Sequence, residues 1–145
     1  MSIPMVAPPE PEHAPPLGCC VAGRIGLRLA LAAQRLPLRT RLRLASACGH
    51  LPQASHARTS ALYAAVTAAG TRCDRRTACW ETALGTVFAC ALTGGSTTLV
   101  LGARPLPWAA HAWIRTPEGE LGITVEDAER PWLPILFAPT RKASN

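Results

Sequence analysis

The chain has no Cys-x-x-Cys and no paired histidines, so its cysteines and histidines do not read as a zinc site. No metal or other cofactor is expected, and a nucleotide requirement stays open. The stretch Met1 to Leu17 has no basic n-region and no continuous apolar h-region, which argues against a secretory signal there. A reduced, cytoplasmic protein is therefore expected, rather than a disulfide scaffold built on Cys19, Cys20, Cys48, Cys73, Cys79 and Cys90. Leu17-Gly18-Cys19 looks like a lipoprotein cleavage site, but nothing before it would export the chain. Aromatics make up only 5% of residues and are not interleaved with the arginines. The stacking platform of a single-strand binder is missing, and no nucleic-acid partner is expected. There are no internal repeats.

Charged residues are scarce at 17% against 48% hydrophobic, which excludes a disordered chain. At 145 residues one domain can bury roughly 70% of its unfolded surface. The net charge of +6 comes largely from arginines between Arg24 and Arg76. Such a field attracts nucleic acid, a membrane surface or an acidic peptide. The uncharged run Thr82 to Ala103 is interrupted by Thr93-Gly94-Gly95-Ser96-Thr97-Thr98. It reads as a buried helix, a turn and a buried strand, with no membrane span.

The patterning predicts an α+β chain with a helical first half and a small antiparallel sheet packed on one later helix. Residues 1–17 are proline-rich and read as a flexible tail. Residues 18–138 form a single domain, its helical part over 21–70 and its catalytic core over 71–138, and residues 139–145 are a polar tail. A helix from Val21 to about Arg35 would bury Ile25, Leu29 and Ala32 and end at Pro37. A short helix through Leu42 and Leu44 follows, with Gly49 as its C-cap. A helix over Ala57 to Ala69 carries Leu62, Tyr63 and Val66 and is closed by Gly70. A further helix spans Ala78 to Leu92, capped by Thr77 and ended by Gly94-Gly95. Strands follow at Leu99 to Ala103 and Ala110 to Thr116. The turn Pro117-Glu118-Gly119-Glu120 leads into a return strand, Leu121 to Glu126, with Gly119 supplying a positive φ. The apolar stretch Trp132 to Phe137 packs on the sheet.

Cys79 and His111 carry the chemistry this pattern suggests. A cysteine in the first turn of a helix meets unpaired N–H groups and the positive end of the helix dipole, which favour thiolate. An imidazole on a following strand is a base within reach of it. If Glu118-Gly119 are the loop residues, His111 stands opposite Glu126, which would orient the ring, with Thr124 diagonal on the same face. A change of one residue in the turn favours Asp127 instead. Cys90, three turns along the same face from Cys79, reads as a buried small hydrophobe. Cys73 is the alternative nucleophile but precedes the helix. His13, His50 and His56 have no supporting pattern. The bland alternatives are a buried thiol at Cys79 and a structural histidine at 111.

The stretch Cys79-Trp80-Glu81 with Leu84, Gly94, Leu99-Val100-Leu101-Gly102, Pro107, Ala110-His111-Ala112-Trp113-Ile114 and Gly119 resembles the leader peptidases of lasso-peptide biosynthesis. These form the second half of the lasso B protein and are related to transglutaminase-like and papain-like cysteine peptidases. The likeness covers roughly residues 71–137. It implies a transglutaminase-like core and a standalone enzyme that cuts the leader from a ribosomally made precursor peptide before macrolactam ring closure. Cys79 would be its nucleophile and His111 its base, beside a small leader-recognition protein and the lasso cyclase. The acidic third residue of that family aligns with Thr124, so Glu126 or Asp127 would replace it, Glu126 being favoured, or the enzyme would run on a dyad. The first-half arginines, Arg28, Arg35 and Arg39 among them, are a candidate surface for the recognition protein or an acidic leader. Two other readings stay open: acyl transfer through the same thioester, and an inactive transglutaminase-like peptide-binding module. A membrane-associated basic helix is a third.

Overall fold

The computed structural model describes residues 15–72 and 78–139. Cys73 and the cap expected at Thr77 lie outside the described residues. The architecture is α+β. Four helices, α1 (Leu17–Ala33), α2 (Leu38–Ala47), α3 (His56–Arg72) and α4 (Cys79–Leu92), precede strands β1 (Thr98–Arg104), β2 (Ala109–Thr116), β3 (Gly119–Leu121) and β4 (Leu133–Ala138). The strands form one antiparallel sheet in the order β3-β2-β1-β4. No described helix is long and apolar enough to cross a membrane.

The α1 helix corrects the expected amphipathic face. Ile25 and Leu29 are 43% and 45% exposed, while Ala22, Gly23, Gly26, Leu27, Ala30 and Ala33 are buried. Small residues are inside because the neighbouring helices come close. A Cβ on Gly23 would lie 2.8 Å from that of Ala65, and one on Gly26 would meet the carbonyl of Gly85 and the backbone of Ala89. Large side chains on this face would hold the backbones apart, so the aliphatic residues lie outward beside Arg24 and Arg28.

Two further glycine expectations change. The α3 helix runs through Gly70 to Arg72 rather than stopping at the glycine. Gly49 lies inside a 3₁₀ turn (Cys48–His50), where a Cβ would collide with the ring of Pro139. The end of α4 follows the sequence reading: Gly95 N–H donates to Cys90 O at 2.9 Å and Gly94 N–H to Ala91 O at 3.0 Å. That is a Schellman closure, with Gly94 at φ +80°.

The core has two parts. Leu27, Leu62, Val66, Ala89 and Cys90 join α1, α3 and α4. Leu84 and Val87 of α4 pack with Leu99, Ala112 and Ile114 of the sheet. Because α4 takes part in both clusters, its N-terminus is held rigidly against β2. The apolar segment expected to pack on the sheet is instead its edge strand, β4, paired with β1.

Candidate active site

Cys79 is the first residue of α4, and no acidic or hydroxylic side chain caps that end at Ala78. Glu81 compensates, its Oε2 accepting the Ala78 N–H at 3.0 Å, so the helix start is pinned without a conventional N-cap. The first N–H groups of α4 have no carbonyl four residues back within the helix.

His111 lies on β2 across from Gly102 of β1. The His111 imidazole, acting as a hydrogen-bonding partner, is the foremost influence holding the Cys79 thiol below its ordinary value of 9.0, against an opposing push from burial. The backbone at Ala112 and at Trp80 lowers it further. Cys79, as the partner, in turn raises His111 above 6.5, with help from the Gly122 carbonyl and from the charges of Cys79 and Asp127, while burial opposes it. Each partner thus favours the charged form of the other, which is the condition for a thiolate–imidazolium pair.

His111 Nε2 lies 2.6 Å from the Gly122 carbonyl oxygen. A carbonyl only accepts, so Nε2 carries a proton and Nδ1 is the nitrogen left for the thiol. The ring stacks against Trp113, with centroids 6.0 Å apart, and against Trp132, 5.0 Å apart. Arg104 lies 4.1 Å from the centre of the Trp132 ring and pairs with Asp127 at 3.3 Å. These contacts brace the imidazole.

The return strand differs from the sequence expectation, and with it the position of Glu126. Thr116 pairs with Gly119, so Pro117-Glu118 are the two loop residues, not Glu118-Gly119. The strand then stops at Leu121, because Gly122 turns the backbone to φ +94°; Gly119 has no positive φ. Residues Val125–Ala128 form a 3₁₀ turn in place of continued strand. Glu126 is exposed there, and the imidazole N–H is taken by Gly122 rather than by a carboxylate. Asp127 is the carboxylate whose charge reaches His111. It accepts from the Thr124 N–H and the Thr124 hydroxyl, each at 2.8 Å. Those bonds, the backbone one foremost, hold its own pKa down. Thr124, aligned with the family's acid, is thus the anchor of the neighbouring acid.

Glu126→Gln is accordingly expected to leave thiol reactivity at Cys79 within about twofold of wild type. Asp127→Asn removes a charge that favours imidazolium, and is expected to lower reactivity at neutral pH several-fold, on the order of 1 kcal/mol. Iodoacetamide alkylation rates measured across pH decide the matter, and a large loss in Glu126→Gln would overturn this assignment.

Gly122, Trp132, Arg104 and Tyr63 were not singled out from the sequence as parts of the site. Gly122 alone left a usable signal, as an isolated glycine inside a strand pattern. Cys90 is fully buried, and burial pushes its thiol up to about 11, an inert packing residue. His56 closes α3 onto the sheet through a 2.6 Å bond between Nδ1 and Thr116 Oγ1. Among the described residues no group of three or more His, Cys, Asp or Glu side chains could hold a metal ion. Two surface hollows, about 610 Å³ along α2 and about 390 Å³ beside Arg115 and Phe137, include neither Cys79 nor His111 in their linings.

A thiol opening a helix, with an imidazole beside it on a strand, is the arrangement of transglutaminases and related cysteine peptidases. The family model of the transglutaminase-like superfamily matches residues 23–132, more than half of the chain. The chain belongs to the transglutaminase-like superfamily. No curated protein and no solved structure shows significant similarity to it. The superfamily match includes the helical first half, so α1 to α3 are part of the transglutaminase-like domain rather than an appendage to it.

Proposed function

We propose that this protein is a cysteine peptidase of the transglutaminase-like superfamily that removes the leader from a lasso-peptide precursor in the cytoplasm, before the macrolactam ring is closed. The observation that carries the proposal is the pairing of Cys79 at the start of α4 with His111 on β2, each favouring the charged form of the other, with the imidazole tautomer set by Gly122. Cys79 Sγ attacks the scissile carbonyl carbon, and the imidazolium of His111 delivers its Nδ1 proton to the leaving amine. Water then adds to the thioester, with His111 acting as base, and the carboxylic acid product leaves Cys79 free. The Gly122 carbonyl and the Asp127 charge take the place that Glu126 was expected to fill.

The leader-peptidase assignment is supported by the Cys79-Trp80-Glu81 and His111-Ala112-Trp113 motifs and their spacing within the transglutaminase-like match. Its partners would be a small leader-recognition protein and the lasso cyclase. Arg28, Arg35 and Arg39 are exposed and offer an acidic leader or the recognition protein a docking surface. Purified protein, incubated with a precursor and its recognition protein, is expected to release the leader, and Cys79→Ala to release none. Release by Cys79→Ala at the wild-type rate would refute the peptidase role. Charge reversal at all three arginines without effect on release would refute the docking surface alone. The same thioester also supports acyl transfer to an amine, so the product mass, acid or amide, separates peptidase from acyltransferase.

A further inference from the structure

Tyr63 is the chain's single tyrosine. It lies on α3, where its neighbours Leu62 and Val66 are fully buried while Tyr63 itself is half-buried. Its side chain packs against the α4–sheet core, as do those of Cys79, Trp80 and Leu121. The phenol oxygen comes against Gly122, where a Cβ would lie 2.9 Å from it and 3.6 Å from Cζ. Gly122 in turn holds His111, the foremost influence on the Cys79 thiol. The hydroxyl therefore stands at the edge of the reacting pair, although α3 contributes neither member of it. Tyr63 as a whole is neither buried nor fully exposed. Burial, followed by the charge of Cys79, pushes its pKa up. The phenol thus remains a protonated donor as the Cys79 thiol ionises.

We infer that the Tyr63 hydroxyl donates a hydrogen bond to the carbonyl oxygen of the acyl group attacked by Cys79, forming an oxyanion site with the backbone N–H at the start of α4. The inference rests on the proposed thiol chemistry and adds a catalytic residue from the helical half. In the step concerned, the thiolate forms a bond to the carbonyl carbon and the C=O π pair moves onto oxygen. That oxygen accepts from Tyr63 and the α4 N–H. Collapse restores the carbonyl and expels the leaving group with its bonding pair. A donor aimed at an oxygen whose charge grows in the transition state contributes to kcat rather than to ground-state binding.

The test compares two probes of Cys79 on the full chain. Acylation by p-nitrophenyl acetate passes through a tetrahedral oxyanion and releases p-nitrophenolate; alkylation by iodoacetamide displaces iodide and forms no oxyanion. Tyr63→Phe keeps the ring and removes only the donor. It is expected to slow acylation about a hundredfold while the rate and pH profile of alkylation stay as in wild type. Unchanged acylation overturns the inference. An equal fall in both rates also overturns it, since Tyr63 would then act by holding the Cys79–His111 pair. A wild-type protein in which Cys79 reacts with neither probe would instead remove the thiol chemistry beneath it.

Discussion

His111→Ala is expected to lower cleavage of a peptide substrate by about 10²- to 10⁴-fold, the range lost when a positioned acid–base group is removed. It should also move the alkylation profile of Cys79 to higher pH. The sign follows from the pair. The His111 imidazole is the foremost cause lowering the thiol, and burial acts the other way; with the imidazole gone, burial is opposed only by the backbone. The thiol then needs higher pH to ionise, so alkylation at pH 7 falls by about tenfold or more, and the two rates draw together once both thiols are ionised. In wild type the two protons come off as steps that belong to the pair. The Cys79 contribution to stability is lost as pH falls through its lowered pKa, and the His111 contribution as pH rises through its raised one. Activity is therefore expected to be bell-shaped, confined between those limits. Superimposable alkylation profiles for wild type and His111→Ala would sink the thiolate–imidazolium pair, whatever the peptide assay gives.

Gly122→Ala is expected to damage both the stability of the fold and the setting of the imidazole. Its backbone stands at φ +94°, a region costing a non-glycine residue roughly 1–3 kcal/mol. The new Cβ would also lie 2.9 Å from the Tyr63 hydroxyl, so α3 or the turn must give way. Any relaxation of the turn moves the carbonyl that holds His111 Nε2. Two losses should therefore appear together: a lower unfolding midpoint in denaturant, by about 1–3 kcal/mol, and a Cys79 alkylation profile displaced toward that of His111→Ala. Combining it with Tyr63→Phe removes the steric conflict but not the backbone strain, so only part of the stability returns. A Gly122→Ala protein with wild-type stability and profile would mean that the carbonyl does not set the imidazole.

The helix that opens on Cys79, its Schellman end at Gly94-Gly95 and the strand bearing His111 were legible in the residues, because local rules govern them. Terminal N–H groups, a glycine with positive φ and alternating apolar positions act over a few neighbours. The α1 face was not legible. Period alone favoured Ile25 and Leu29, whereas close approach to Ala65, Gly85 and Ala89 selected Gly23 and Gly26, a choice that depends on partners distant in the chain. The third member of the site failed for a related reason. Glu126 was placed by extending a hairpin register, and a single glycine ended the strand before that register could apply.

By itself the sequence determined the order of helices and strands, and it pointed to the two residues proposed to do the chemistry, Cys79 as thiolate source and His111 as base. Only the tertiary structure decided that a backbone carbonyl at Gly122 holds the imidazole, that Trp132 and Arg104 brace it, and that Tyr63 reaches the site from α3. Side-chain chemistry and short-range propensity are written residue by residue. Contacts between elements depend instead on how closely two backbones approach and where a strand breaks, which are settled when the whole core packs.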